Sequence, residues 1–161
     1  DFDINHITFC WNAIDDNGDD VCVEDETAWA QGLPYVEQGS WAMYVDYYAY
    51  EAPFTVDLLA GQNMDAGDVA FSAPVDGEVT ITINLVDGFV FYYDPADTEF
   101  DENLKVQDYE DPPEGNPAIG LFDWKASIEP GSTTAEITVP LNNYYGVHLD
   151  VAYPIECPVE E

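Results

Sequence analysis

The chain has 161 residues, with 34 Asp and Glu against two lysines and no arginine, giving a formal charge of −32 at pH 7. A surface of that sign cannot neutralise phosphates, which excludes ordinary binding to nucleic acid or to an anionic membrane. At 47% hydrophobic and 14% aromatic residues the chain also falls outside the weakly apolar, highly charged sequences that stay unfolded.

The length suits one domain spanning 1–161. There is no apolar run of about 18 residues and no basic region leading into an apolar one, so membrane insertion is not expected. The first residue is Asp1 rather than Met, and the expectation is a mature extracellular or cell-surface protein whose signal peptide has been removed.

The first nine residues carry two apolar alternations in different phase. Phe2 and Ile4 alternate with Asp1, Asp3 and Asn5, and then Ile7, Phe9 and Trp11 take over. A one-residue shift turns side chains to the opposite face of a sheet, so 1–9 reads as a strand donated to a neighbouring molecule, or alternatively as a β-bulge or frayed terminus.

Cys10 and Cys22 flank an Asp-rich segment. A disulfide between them would close a short loop, for about 3 kcal/mol of stabilisation on the loop-entropy scale. Buried free thiols, or a bridge from either one to Cys157, are the alternatives.

Between the two cysteines begins the sharpest local pattern, 15–26. Numbered as a twelve-residue calcium loop, Asp15, Asn17 and Asp19 occupy positions 1, 3 and 5. Val21 offers its carbonyl at 7 and Glu26 stands at 12 for bidentate coordination. Hard cations take such oxygens, and the expected cofactor is Ca²⁺. Asp20 replaces the usual turn glycine and strand-like sequence precedes the loop, so a solvated acidic turn is the competing reading. Glu26–Gln31 is the one stretch that reads as a helical turn.

Beyond it, short stretches of period-two alternation bounded by Gly, Pro and Asp predict strands at 41–50, 54–59, 68–73, 79–86, 89–93, 103–109, 124–128, 134–141 and 145–152, in addition to 7–13. In 79–85 the alternation is unbroken. Val79, Ile81, Ile83 and Leu85 face a core, and so do Ala135, Ile137 and Val139 in the later strand. Asp87-Gly88 is read as a hairpin turn. The strand 41–50 is apolar on both faces, with Trp41, Met43, Val45 and Tyr47 on one and Tyr44, Tyr48 and Tyr50 on the other. Burial on both sides, by sheet partners or by another subunit, follows, and Trp41, Met43, Tyr44 and Tyr48 join Phe2 and Ile4 as candidate subunit contacts. Residues 94–120 form an acidic, Pro-rich excursion broken by one strand. The fold class expected is all-β, an antiparallel sandwich of Ig-like or jelly-roll style with an N-terminal extension.

The runs Ala60-Gly61-Gln62 to Gly67-Asp68-Val69, Asp87-Gly88-Phe89 and Gly115-Asn116-Pro117-Ala118-Ile119-Gly120-Leu121-Phe122 together resemble a β-rich module of secreted and cell-surface proteins of archaea and bacteria. The resemblance spans roughly 56–151 and implies an extracellular β-sandwich. It brings no catalytic residues.

Catalytic equipment is sparse. His148 alternates with Asp150 opposite Val147, Leu149 and Val151, as an exposed or cross-strand-paired residue would. His6 stands near the start. No nucleophile elbow, phosphate loop or zinc spacing occurs, and Lys105 and Lys125 are the only cationic side chains besides histidine. Two further acidic clusters, Asp94 to Glu102 and Asp108 to Glu114, read as surface charge or as weak divalent sites. The expectation is a non-enzymatic, secreted structural protein that self-assembles into a filament, tube or surface layer with calcium as stabiliser. A carbohydrate-binding or adhesive module, using the many tyrosines with Trp41 and Trp124 as a stacking face, is the alternative.

Overall fold

A computed structural model of the chain describes residues 13–14, 20–86, 88–92 and 102–155. Among these residues, twelve strands form one antiparallel sheet system: β1 Ala13–Ile14, β2 Asp20–Ala30, β3 Leu33–Pro34, β4 Met43–Asp46, β5 Phe54–Ala60, β6 Met64–Phe71, β7 Glu78–Leu85, β8 Val90–Phe91, β9 Leu104–Tyr109, β10 Trp124–Ala126, β11 Thr134–Pro140 and β12 Tyr144–Ile155. The main order is β10-β9-β12-β2-β5-β6-β7-β11. Because β2 and β5 pair only over 28–30 and 58–60, the sheet bends there, and its two halves close on one another as an antiparallel β-sandwich. Among the described residues no helix is long and apolar enough to cross a membrane.

The period-two pattern fills the space between the halves. Val79, Ile81 and Ile83 of β7 and Val139 of β11 are fully buried, against Leu58, Val69, Leu104, Val147, Leu149 and Val151 from the remaining strands. Each such side chain contributes about 1.5–3 kcal/mol by leaving water. Tyr47 and Tyr145 close one end of this core, their hydroxyls donating to the carbonyls of Ser72 and Pro140 at 2.6 Å in both cases.

Turn chemistry sets the registers. Asp76 and Gly77 both have positive φ, and Val75 and Glu78 exchange backbone bonds across them, the two-residue hairpin that suits the twist of β6 and β7. In β6 the ladder slips by one residue opposite Leu58/Leu59. There Gly67, at φ +147, lies so close to β7 that a Cβ would overlap the Asn84 carbonyl oxygen, which is the physical content of the second glycine in the 60–69 motif. The Pro130-Gly131 turn, closed by Ser132 N–H on the Glu129 carbonyl at 3.1 Å, carries the chain from β10 across to β11 in the opposite half.

Several expectations change. Glu26–Gln31 is no helical turn: residues 20–30 are a strand, and its alternation sends Val23, Thr27 and Trp29 to one face and Ala28 and Ala30 to the other. The turn at Gly88, closed by Phe89 N–H on the Val86 carbonyl, makes no hairpin, because β8 pairs with β12 and not with β7. Asp87 itself lies outside the described residues. The strand expected over 41–50 is limited to β4, since Asp46 accepts from the Tyr48 and Ala49 amides and turns the chain. Both faces of β4 are covered by this chain's own residues, with Val45 in the main core and Tyr44 in a second cluster.

Cys22 is disulfide-bonded, and the expected pairing with Cys10 lies outside the described residues. Cys22 is buried and engaged in β2, whereas Cys10 and Cys157 lie outside the described residues. So do Phe2, Ile4 and the whole of 1–9.

Candidate functional site

Strand β12 presents Tyr145, Val147, Leu149 and Val151 to the sandwich core and Tyr144, Gly146, His148 and Asp150 to the other side. Outer faces of sandwiches are ordinarily wet. This one is covered by two segments far apart in sequence: residues 33–44, which include β3 and the start of β4, and the loop 110–123. They build a second, aromatic cluster of Trp29, Tyr35, Ala42, Tyr44 and Phe122, with Trp41, Met43, Tyr109, Ile119 and Tyr144 packed against it. Phe122 and Ile119 come from the Gly115–Phe122 motif, whose 3-10 turn at 119–121 presses the loop onto Trp29, with ring centroids 6.2 Å apart. Burial and the hydrogen bond to Tyr109 at 2.9 Å hold the Tyr35 hydroxyl in its protonated form, far above the ordinary tyrosine range.

Beneath this cover lies a row of polar side chains. Lys105, His148 and Trp29 are register partners across β9, β12 and β2. Asn103, Lys105 and His148 are all buried. The Trp29 ring meets the imidazole edge-on at 4.8 Å, and His148 makes no hydrogen bond with any described residue. Burial, aided by the Lys105 charge, lowers its pKa to about 3, so the ring is neutral at ordinary pH. One step along, Asp150 is raised to about 6 by burial, against the attraction of Lys105 and with the Asp25 charge adding to it. One carboxylate oxygen of Asp25 is buried without a hydrogen-bond partner. Asn103 is satisfied, its side chain exchanging two 2.8 Å bonds with the Ile128 backbone.

His148 opens into a cavity of about 360 Å³ walled by Thr27, Trp29, Trp41, Asn116 and Ile119. A larger hollow of about 680 Å³ lies between β4 and β5 beside Asp46, Tyr50 and Asp57. The wall of that one holds neither an imidazole nor an indole, and the first is the better candidate site.

The sequence-derived candidates are distributed elsewhere. Asp15, Asn17 and Asp19 lie outside the described residues, as does the Val21 side chain. Glu26 is in extended β2, its carboxylate over Gly61, so the second half of the twelve-residue segment runs straight where a calcium loop would curl. Among the described residues no group of three or more His, Cys, Asp or Glu is placed to hold a metal. Asp108 of the second acidic cluster is instead a structural acceptor for Trp124 Nε1 at 2.8 Å and Asn142 Nδ2 at 2.9 Å. Of the aromatic candidates, Tyr44 is buried in the second cluster, Trp41 and Met43 are partly buried against it, and Tyr48 is 61% exposed. His148 is cross-strand-paired as expected but is not exposed. Trp29, Thr27 and Asn116 carried no motif of their own; the outward parity of His148 was the available signal.

No family model matches the chain, and no curated protein or solved structure matches it either.

Proposed function

We propose that this chain is a secreted structural protein whose subunits join by strand addition into an extracellular filament, tube or surface layer. The resemblance to modules of secreted and cell-surface proteins fits this reading. The observation that carries it is the outer edge of β11.

Leu85 N–H bonds the Thr133 carbonyl and Leu141 N–H the Gly77 carbonyl, so odd residues of this segment bond β7 and even ones direct their main chain outward. Thr134, Glu136 and Thr138 therefore offer a row of donors and acceptors with no strand partner among the described residues. Pro140 sits where its missing N–H costs no bond to β7. A free edge of this length invites pairing with an extended chain, and the Phe2/Ile4 alternation of 1–5 in a second copy supplies one. Subunits carrying −32 each repel, and calcium bridging their carboxylates is the stabiliser that such joining needs.

Sedimentation velocity tests this. The intact chain is expected to form polymers that calcium strengthens and a chelator loosens. Deletion of Asp1–Asn5, or Glu136→Pro at an outward N–H, is expected to leave folded monomers. A polymer unchanged by either alteration, or an intact chain that stays monomeric with and without calcium at high concentration, overturns the proposal.

A further inference from the structure

We infer that the cavity over His148 is a binding site for a neutral polyhydroxylated ligand, one or two rings of a glycan. This stands apart from self-association: the cavity lies on the outer face of β2 and β12, whereas the edge of β11 belongs to the other half of the sheet.

The first argument is hydrogen-bonding capacity that no described residue uses. His148 is 5% exposed, its ring nitrogens have no described partner, and it lines the cavity. Neither nitrogen is among the buried atoms left without a partner, so the ring is open towards the cavity, and a partner can come from there. A neutral imidazole has one donor and one acceptor nitrogen, the same pair of roles that a ligand hydroxyl fills.

The walls supply the complement. Trp41 and Trp29 give apolar ring surface for the C–H face of a sugar, while Thr27, Ser40 and Asn116 bring hydroxyl and amide groups to the rim. Two indoles beside polar groups in nearly equal measure suit a ligand with both hydroxyls and a C–H face, and 360 Å³ lies near the lower end of the usual pocket size range.

Charge sets the class. An anionic ligand meets a protein of net charge −32. A cation at the imidazole meets Lys105, which faces His148 from β9. Neither sign is favoured at this spot, and a neutral ligand avoids both penalties.

The test uses the intact chain with neutral oligosaccharides of glucose, mannose, galactose and N-acetylglucosamine, alongside oligogalacturonate as the acidic counterpart. Tryptophan fluorescence and calorimetry read binding, and imidazole ¹⁵N resonances read the His148 ring directly. At least one neutral oligosaccharide is expected to bind saturably and shift the His148 signals. Asn116→Ala, an exposed change, and Trp41→Ala are expected to weaken it tenfold or more without altering sedimentation. No binding by any neutral probe up to about 10 mM, the weak limit of measurable affinity, overturns the inference. So does binding that leaves the His148 signals and both variants' affinities unchanged, or equal binding of the acidic probe.

Discussion

Tyr35 places its hydroxyl directly over Gly146, so that a methyl group at that position of β12 would overlap the oxygen. The aromatic cover of the outer face is seated on this missing side chain. Gly146→Ala is therefore expected to push Tyr35 out of its contacts with Tyr44 and Tyr109 and to cost about 1–3 kcal/mol, the usual penalty of overpacking. Urea denaturation measures it, and a midpoint equal to that of the parent chain would show that Tyr35 does not occupy this seat.

Asn103 ties the far end of β10 to the sheet through two bonds to the Ile128 backbone. Asn103→Ala removes both bonds from the part-buried Ile128 N–H and C=O, for an expected loss of about 1–3 kcal/mol. Hydrogen exchange at the Ile128 amide should accelerate by more than the global loss accounts for. Unchanged protection there would contradict the assignment.

The buried row makes stability depend on pH in two opposed ways. Folding raises the Asp150 pKa from 3.8 to about 6, so the folded chain binds more protons between those values and this group's contribution falls as pH rises through them. Folding lowers the His148 pKa from 6.5 to about 3; the unfolded chain binds more protons there, and that contribution is lost as pH falls below 6.5. Asp150→Asn should thus be more stable than the parent at pH 7 by about 1–3 kcal/mol, with the advantage shrinking towards zero near pH 4. Denaturation of both chains across this range is the measurement, and a pH-independent difference would refute it.

Gly67 is the fourth test. Its φ of +147 and the nearness of the Asn84 carbonyl leave no room for a side chain, so Gly67→Ala is expected to cost about 2 kcal/mol or more by strain and displacement of β7. Gly39→Ala, at φ +96 but with open space around it, should cost less. Equal losses would place the penalty in φ alone.

How far the sequence reveals this molecule depends on whether the determining contacts are local. The strands β7 and β11 are readable residue by residue because one face meets the core and the other meets water. Strand β2 escapes notice because acids at 24–26 resemble a loop. The fold tolerates them: Tyr153 donates to the Glu24 carboxylate at 2.5 Å, and Glu26 lies over a glycine at the β5–β6 turn. The parity of His148 is legible, its burial is not, because the cover arrives from 33–44 and 110–123. A period-two pattern reports which face a residue is on, but not what lies above it.

Strand β12 pairs with β9 and β8 along one edge and with β2 and β4 along the other. The element that unites these four is encoded after all of them. A chain emerging from its N-terminal end can form the β5–β6–β7 meander early, with β11 joining later, whereas the opposite half waits for residues 144–155. Assembly of the sandwich is thus timed to the arrival of its last described strand. Chains cut ahead of Tyr144 should persist as protease-sensitive species rather than as smaller versions of the native fold.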